Sequence, residues 1–308
     1  MNLKKPKFWD YKEPNIFAYL LLPIALLIKL LKLFKFKPKI QKGNIKTICV
    51  GNIYLGGTGK TSLSIKINEI LQKNQIRSCF IKKFYKNQKD EQKLLKSRGK
   101  LFLSSRRMKA INQAEYENYQ IAILDDGLQD YSIDYDISFV CFNNVNWLGN
   151  GLTIPAGPLR ESFNNIKKYD HIFLNGNLEN LDNLKKKILT INPRIQIHVG
   201  KYEPTNLDQF NKKDKYLVFS GIGNHQTFLT MIKENSLKVV KDIEFPDHHS
   251  FTNKEINQIL EQAKDLDCKI ITTEKDYLRL ENNRIDKIKF IKSELRIIDE
   301  KKLINTIL

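Results

Sequence analysis

Val50-Gly51-Asn52-Ile53-Tyr54-Leu55-Gly56-Gly57-Thr58-Gly59-Lys60-Thr61 sits between an apolar run at 45–50 and a helical pattern at 60–72. A strand, a glycine-rich turn and a helix in that order build a phosphate-binding loop. Backbone N–H groups of Gly56, Gly57, Thr58 and Gly59 are placed to wrap a phosphate, and the positive end of the following helix adds to them. Lys60 would reach the β- and γ-phosphates of a nucleotide, and the Thr61 hydroxyl would ligate Mg²⁺. The strict pattern requires glycine five residues before Gly59, and Tyr54 stands there instead.

Outward from the loop, strand and helix patterns alternate. Strands are predicted at 76–81, 100–103, 120–124, 137–142 and 171–174, with helical stretches between several of them. Continuous apolar strands separated by helices imply a parallel sheet covered on both faces. After about residue 200 the alternation restarts, with strands at 215–219, 237–243, 268–272 and 287–291, helices at 224–234 and 252–266, and a helix in the last ten residues. The predicted fold is α/β: a P-loop NTPase-type parallel-sheet domain at 43–200 and a smaller α/β domain at 201–308. Asn192, Pro193, Pro204 and Asn206 mark 190–215 as the boundary. The length of 308 residues agrees with two domains.

Residues 1–42 form a third segment. They hold ten lysines against Asp10 and Glu13, so +8 of the net +18 is concentrated there. Within them 16–28 is uncharged and apolar, contains Pro23, and meets Lys29 and Lys32. A spanning helix needs about 20 apolar residues, and this run is shorter. The reading preferred is an amphipathic, membrane-associated helix with its lysines among anionic headgroups. A signal anchor and a helix packed on a domain core are alternatives. No small-residue cleavage site follows the run, which argues against a signal peptide. The remaining +10 is equally a lysine-rich compositional bias. Lysines are scattered, arginine is scarce and no nucleic-acid-binding motif is present, so no nucleic-acid partner is expected. Cys49, Cys79, Cys141 and Cys268 lie far apart in apolar runs, which excludes a zinc finger or disulfide scaffold and reads as buried thiols.

A second acidic element completes the nucleotide reading. Ile121-Ala122-Ile123-Leu124 runs into Asp125-Asp126-Gly127-Leu128-Gln129, which puts two carboxylates at a strand's C-terminal end, where α/β ligands bind. Carboxylate oxygens there would hold Mg²⁺ directly or through water. GTP-binding signatures fail: Thr273-Glu274-Lys275-Asp276 has Lys and Asp adjacent, and Leu128 stands three residues after Asp125 in place of glycine. ATP is favoured over GTP, and a transferase over a switch, with an NTPase module acting on a protein or nucleic acid as the alternative.

These motifs, in this order, resemble the tetraacyldisaccharide 4′-kinase (lipid A 4′-kinase) family. The phosphate loop, Asp125-Asp126-Gly127-Leu128-Gln129, Gly149-Asn150-Gly151 with Pro155-Ala156-Gly157-Pro158-Leu159-Arg160-Glu161, Ser220-Gly221-Ile222-Gly223-Asn224, Phe245-Pro246-Asp247-His248-His249 and Thr273-Glu274-Lys275-Asp276 all resemble family segments. The resemblance implies transfer of the ATP γ-phosphoryl group to the 4′-hydroxyl of tetraacyldisaccharide 1-phosphate, giving lipid IVA. It places that reaction at the cytoplasmic face of the inner membrane, on a peripheral or monotopic protein. It assigns the general base to Asp90 and assistance to His248. It sets Lys60 and Arg160 on the transferring phosphoryl group, and Glu161 beside Thr61, Asp125 and Asp126 as a Mg²⁺ ligand. Departures from the family pattern fall at Lys82-Lys83-Phe84-Tyr85, where Arg-Gly-Tyr-Gly is expected, at Lys89 in place of glycine, and at Asp130 in place of histidine.

Overall fold

The computed structural model describes residues 5–33, 39–85, 89–176, 180–247, 249–280 and 285–308. A 3-10 turn at Lys7–Asp10 precedes helix α1 (Ile16–Leu33). Then follow β1 (Lys46–Gly51), α2 (Lys60–Lys73), β2 (Ser78–Lys83), α3 (Lys89–Arg98), β3 (Leu101–Ser104), α4 (Arg107–Tyr116), β4 (Ile121–Asp125), β5 (Ile137–Asn143), β6 (His171–Asn175), α5 (Leu181–Ile191) and β7 (Gln196–Pro204). The chain continues through β8 (Lys215–Ser220), α6 (His225–Glu234), β9 (Lys238–Glu244), α7 (Asn253–Asp265), β10 (Lys269–Thr273), α8 (Glu274–Tyr277), β11 (Ile288–Ile291), β12 (Ser293–Ile297) and α9 (Glu300–Ile307).

Two sheets result. The larger has the order β12-β7-β6-β5-β1-β4-β2-β3, and the smaller the order β11-β10-β8-β9. Every pairing is parallel except β12 with β7. The central strands read as unbroken apolar runs because both faces are covered: β5 is buried at every position, as are β4 and β6. One face of the large sheet packs Cys49, Ile81, Leu124, Val140 and Leu174, and the other packs Val50, Leu63, Ile67, Phe80 and Phe139. Three cysteines are buried and Cys268 is partly so. Burial pushes the Cys79 thiol up to about 12, which leaves it a small apolar side chain at neutral pH.

Within the 190–215 stretch expected to hold the boundary, β7 is still a strand of the large sheet paired with β6, and the second sheet begins at β8. Residues 293–308 also return from the second unit to the first. β12 adds antiparallel to β7, and Leu295, Ile297, Leu303 and Ile307 bury in the large sheet's core. Each such aliphatic side chain contributes about 1.5–3 kcal/mol on burial, so the C-terminal helix belongs to the first sheet.

Helix α1 forms where the sequence places it, and Pro23 lies within it. Ala18 and Ala25 are buried, while Ile16, Phe17, Leu20, Ile24, Leu26, Leu27, Leu30 and Leu31 stand exposed. The small alanines are buried, while these large apolar side chains stay about half exposed or more, with Phe17 meeting the ring of Phe8. Among the described residues no helix is long and apolar enough to cross a membrane.

Candidate active site

β1 lies between β5 and β4, so the chain leaving its C-terminal end turns at the middle of the sheet, where open α/β folds bind ligands. Gly59 caps α2 at φ 80°, a left-handed conformation that glycine adopts without strain, and the first turn of α2 carries no acidic residue. Asn52 ties the turn from within. Its amide donates to the Tyr54 carbonyl at 2.6 Å and to Thr58 Oγ1 at 2.8 Å. Asn175, at the end of β6, donates to the Thr58 carbonyl at 2.7 Å. These bonds fix the loop shape before any ligand arrives, which lowers the ordering cost of binding.

The second sheet closes over this loop. A Cβ on Gly57 would lie 2.8 Å from the Gly223 carbonyl carbon and 3.0 Å from the Asn224 amide nitrogen, so the two glycine turns pack backbone to backbone. Thr273-Glu274-Lys275-Asp276 has a visible task. Asp276 accepts from the Gly221 amide at 3.0 Å, and Arg279 donates to the Gly221 carbonyl at 2.6 Å and to Asp276 at 2.9 Å. The motif clamps the turn that faces the phosphate loop. Asp247 and His249 flank this turn: Cβ atoms added to Gly223 and Gly221 would meet Asp247 Oδ2 at 2.8 Å and His249 Cβ at 3.0 Å. His248 between them lies outside the described residues.

Five of the predicted side chains gather. Thr61 Oγ1 is 3.4 Å from Asp125 Oδ2, and Lys60 Nζ is 3.9 Å from Asp126 Oδ1. Arg160 donates to Asp126 Oδ1 at 2.9 Å and to Gln129 Oε1 at 3.0 Å. Asp126 adopts φ 60°, which turns its carboxylate out of the strand line toward these cations. Burial would raise its pKa, but Lys60, Arg160 and Lys82 outweigh that and hold it at about 2. Glu161 joins less directly. Its carboxylate accepts from Asn165 at 2.7 Å, from Tyr169 at 2.9 Å and from Gln129 at 3.4 Å, so it meets the cluster through Gln129. The family-expected histidine position, Asp130, pairs with Arg107 at 3.0 Å.

Lys82 is the site residue that sequence reading missed. Its ammonium is 2.6 Å from Asp125 and 2.7 Å from Glu91, and its side chain is 1% exposed. Burial disfavours the charge, yet Asp125 and Glu91 hold the ammonium above the ordinary lysine range. Glu91 is likewise kept ionised against burial by Lys82, Lys275 and Lys60. The bridge ties the start of α3 to Asp125. Asp90 occupies that start by its backbone, and its side chain lies outside the described atoms. The signal available was position: Lys82 stands where the resembled family carries arginine.

Oxygen donors of this kind suit a hard divalent cation. One or two carboxylates with a hydroxyl, the rest supplied by phosphates and water, is the usual Mg²⁺ arrangement. Thr61 and Asp125 provide it, and among the described residues no cluster of three or more His, Cys, Asp or Glu forms a closed metal cage.

Comparisons with known proteins bear on the family and the fold. A family model described as tetraacyldisaccharide-1-P 4′-kinase matches residues 17–308. A tetraacyldisaccharide 4′-kinase of Pelagibacter ubique is 58% identical over 308 residues, covering 100% of this chain and 98% of the relative. One of Rickettsia bellii is 31% identical, covering 91% of this chain and 90% of the relative. The solved structure of LpxK from Aquifex aeolicus in complex with ATP superposes with a TM-score of 0.67 at 22% identity, covering 95% of this chain and 98% of that one. At that identity the likeness shows the fold.

Proposed function

The chain belongs to the tetraacyldisaccharide-1-P 4′-kinase family, and on that premise we propose how its site performs the family's reaction. The protein is an ATP-dependent kinase of lipid A biosynthesis that phosphorylates the 4′-hydroxyl of tetraacyldisaccharide 1-phosphate. The observation that carries the mechanism is the connected set Lys60, Thr61, Asp125, Asp126 and Arg160 at the mouth of β1 and β4.

The loop amides and Lys60 hold the β- and γ-phosphates. Thr61 and Asp125 would hold Mg²⁺, which would supply charge neutralisation on the phosphates. Glu161 would be a further oxygen donor for it on exchanging its hydrogen bonds from Tyr169 and Gln129. The acceptor 4′-oxygen forms its bond to the γ-phosphorus as the bond from that phosphorus to the β,γ-bridging oxygen breaks, and ADP leaves. Asp90 takes the hydroxyl proton, with His248 tuning its carboxylate. Arg160, oriented by Asp126 and Gln129, meets charge developing on the transferring group.

The exposed apolar side chains of α1 and the lysines of residues 1–42 support seating at an anionic membrane surface. We place the protein at the cytoplasmic face of the inner membrane, peripheral or monotopic, where both ATP and the lipid acceptor are within reach.

Asp90→Ala and Lys60→Ala separate the roles. Asp90→Ala is expected to lose about a hundredfold or more in turnover with ATP affinity unchanged. Lys60→Ala is expected to weaken the use of limiting ATP. Turnover in Asp90→Ala comparable to the parent protein would remove Asp90 from the base role.

A further inference from the structure

We propose that Tyr54 is a positioning residue: its phenol latches the N-terminal segment that carries α1 to the phosphate loop, so this side chain helps set the loop's orientation relative to the membrane. The inference rests on the kinase and membrane reading above.

Tyr54 occupies the position where the strict loop pattern has glycine, and it is buried. Its hydroxyl donates to Asp10 at 2.6 Å and accepts from Lys5 at 2.8 Å, while Lys5 and Asp10 pair with each other. At its other end the residue belongs to the loop. Its carbonyl is held by Asn52, and a Cβ on Gly56 would lie 3.3 Å from its ring. A second contact locks the same segment: Trp9 donates from its indole nitrogen to the Pro155 carbonyl at 3.1 Å, and its own carbonyl accepts from Asn150 at 2.9 Å. Five residues separate Asp10 from the start of α1.

A phenol bonded to a carboxylate and an ammonium in a half-buried site makes strong, directional bonds. Such a tie is costly to place on a phosphate loop unless its far end matters. The far end here is the membrane-facing helix. An acceptor held in a bilayer presents its sugar hydroxyl at a fixed height and angle, so the loop must be held at a matching angle. An acceptor dispersed in detergent approaches freely and needs no such match.

The test uses the full chain with tetraacyldisaccharide 1-phosphate presented in phosphatidylglycerol-containing vesicles or dispersed in detergent. Asp10→Ala is expected to lower kcat/KM for the vesicle acceptor about tenfold, the factor one charge-assisted hydrogen bond carries. It leaves the dispersed acceptor and the KM for ATP unchanged. Asp10→Asn, whose amide oxygen still accepts from Tyr54, retains most of the vesicle rate. Tyr54→Phe loses a similar factor on vesicles, and adding it to Asp10→Ala costs nothing further. The latch is overturned if Asp10→Ala matches the parent on vesicles, if it loses equally on both acceptor forms, or if the two losses multiply. A parent protein silent on both acceptor forms sinks the kinase reading, and the latch with it.

Discussion

At the scale of single residues, the site is organised by charges that could not survive burial alone. Lys82, Asp125 and Glu91 form a nearly dry triad, and Asp126 is shared by Lys60 and Arg160. Removing one partner of a buried ion pair is costly, about 3–5 kcal/mol, because the remaining charge stays buried. Lys82→Ala is therefore expected to destabilise the fold by about that amount, read by urea denaturation. A loss under about 1 kcal/mol would mean that Asp125 and Glu91 are compensated by some other group. Lys82 was not legible from sequence. In Ser78-Cys79-Phe80-Ile81-Lys82-Lys83 it reads as the solvated end of a strand. Its burial is decided by β4 and α3, which bring Asp125 and Glu91 to it through tertiary contact. Lys60, Thr61 and the two aspartates were legible because the loop and the strand end impose their roles locally.

At the scale of elements, the apolar parallel strands declare themselves and the sheet's last two do not. β7 gives no strand signal in the sequence because Gln196, His198, Lys201 and Glu203 interrupt its apolar residues. It lies near the edge, covered on one side by the short β12, so it needs no continuous apolar run. β7 also carries a buried titratable pair. His198 Nε2 is 3.3 Å from His171 Nδ1 of β6, and both rings contact Phe139. Burial, then His171 and Lys302, push the His198 pKa down to about 4 from 6.5, and Asp299 opposes this weakly. His171 is lowered in the same sense, chiefly by burial. A lowered imidazole pKa means the unfolded chain takes up a proton that the native state refuses. The contribution of His198 is thus complete above pH 6.5 and is lost as pH falls toward 4. About 3 kcal/mol should disappear over that window. In His198→Phe the pH dependence of Tm between those limits should flatten. An unchanged slope would place the acid sensitivity in other groups.

At the scale of the whole molecule, two sheets meet glycine to glycine across the phosphate loop, and α1 projects apolar side chains on the side tied to that loop. The fold class and the six motifs in order were readable, since each is a local run. The return of residues 293–308 to the first sheet was not, because it depends on pairing across the chain. The excess charge of the first 42 residues predicts that the full chain floats with anionic liposomes and that removal of residues 1–42 abolishes flotation. Salt-dependent binding to nucleic acid without flotation would favour a nucleic-acid-binding module instead. All of these parts converge on phosphoryl transfer at one defined hydroxyl. Purified protein with ATP, Mg²⁺ and tetraacyldisaccharide 1-phosphate should yield a product carrying a new phosphate at the 4′ position. ATP hydrolysis without transfer, under conditions where a related kinase phosphorylates the same acceptor, would contradict it.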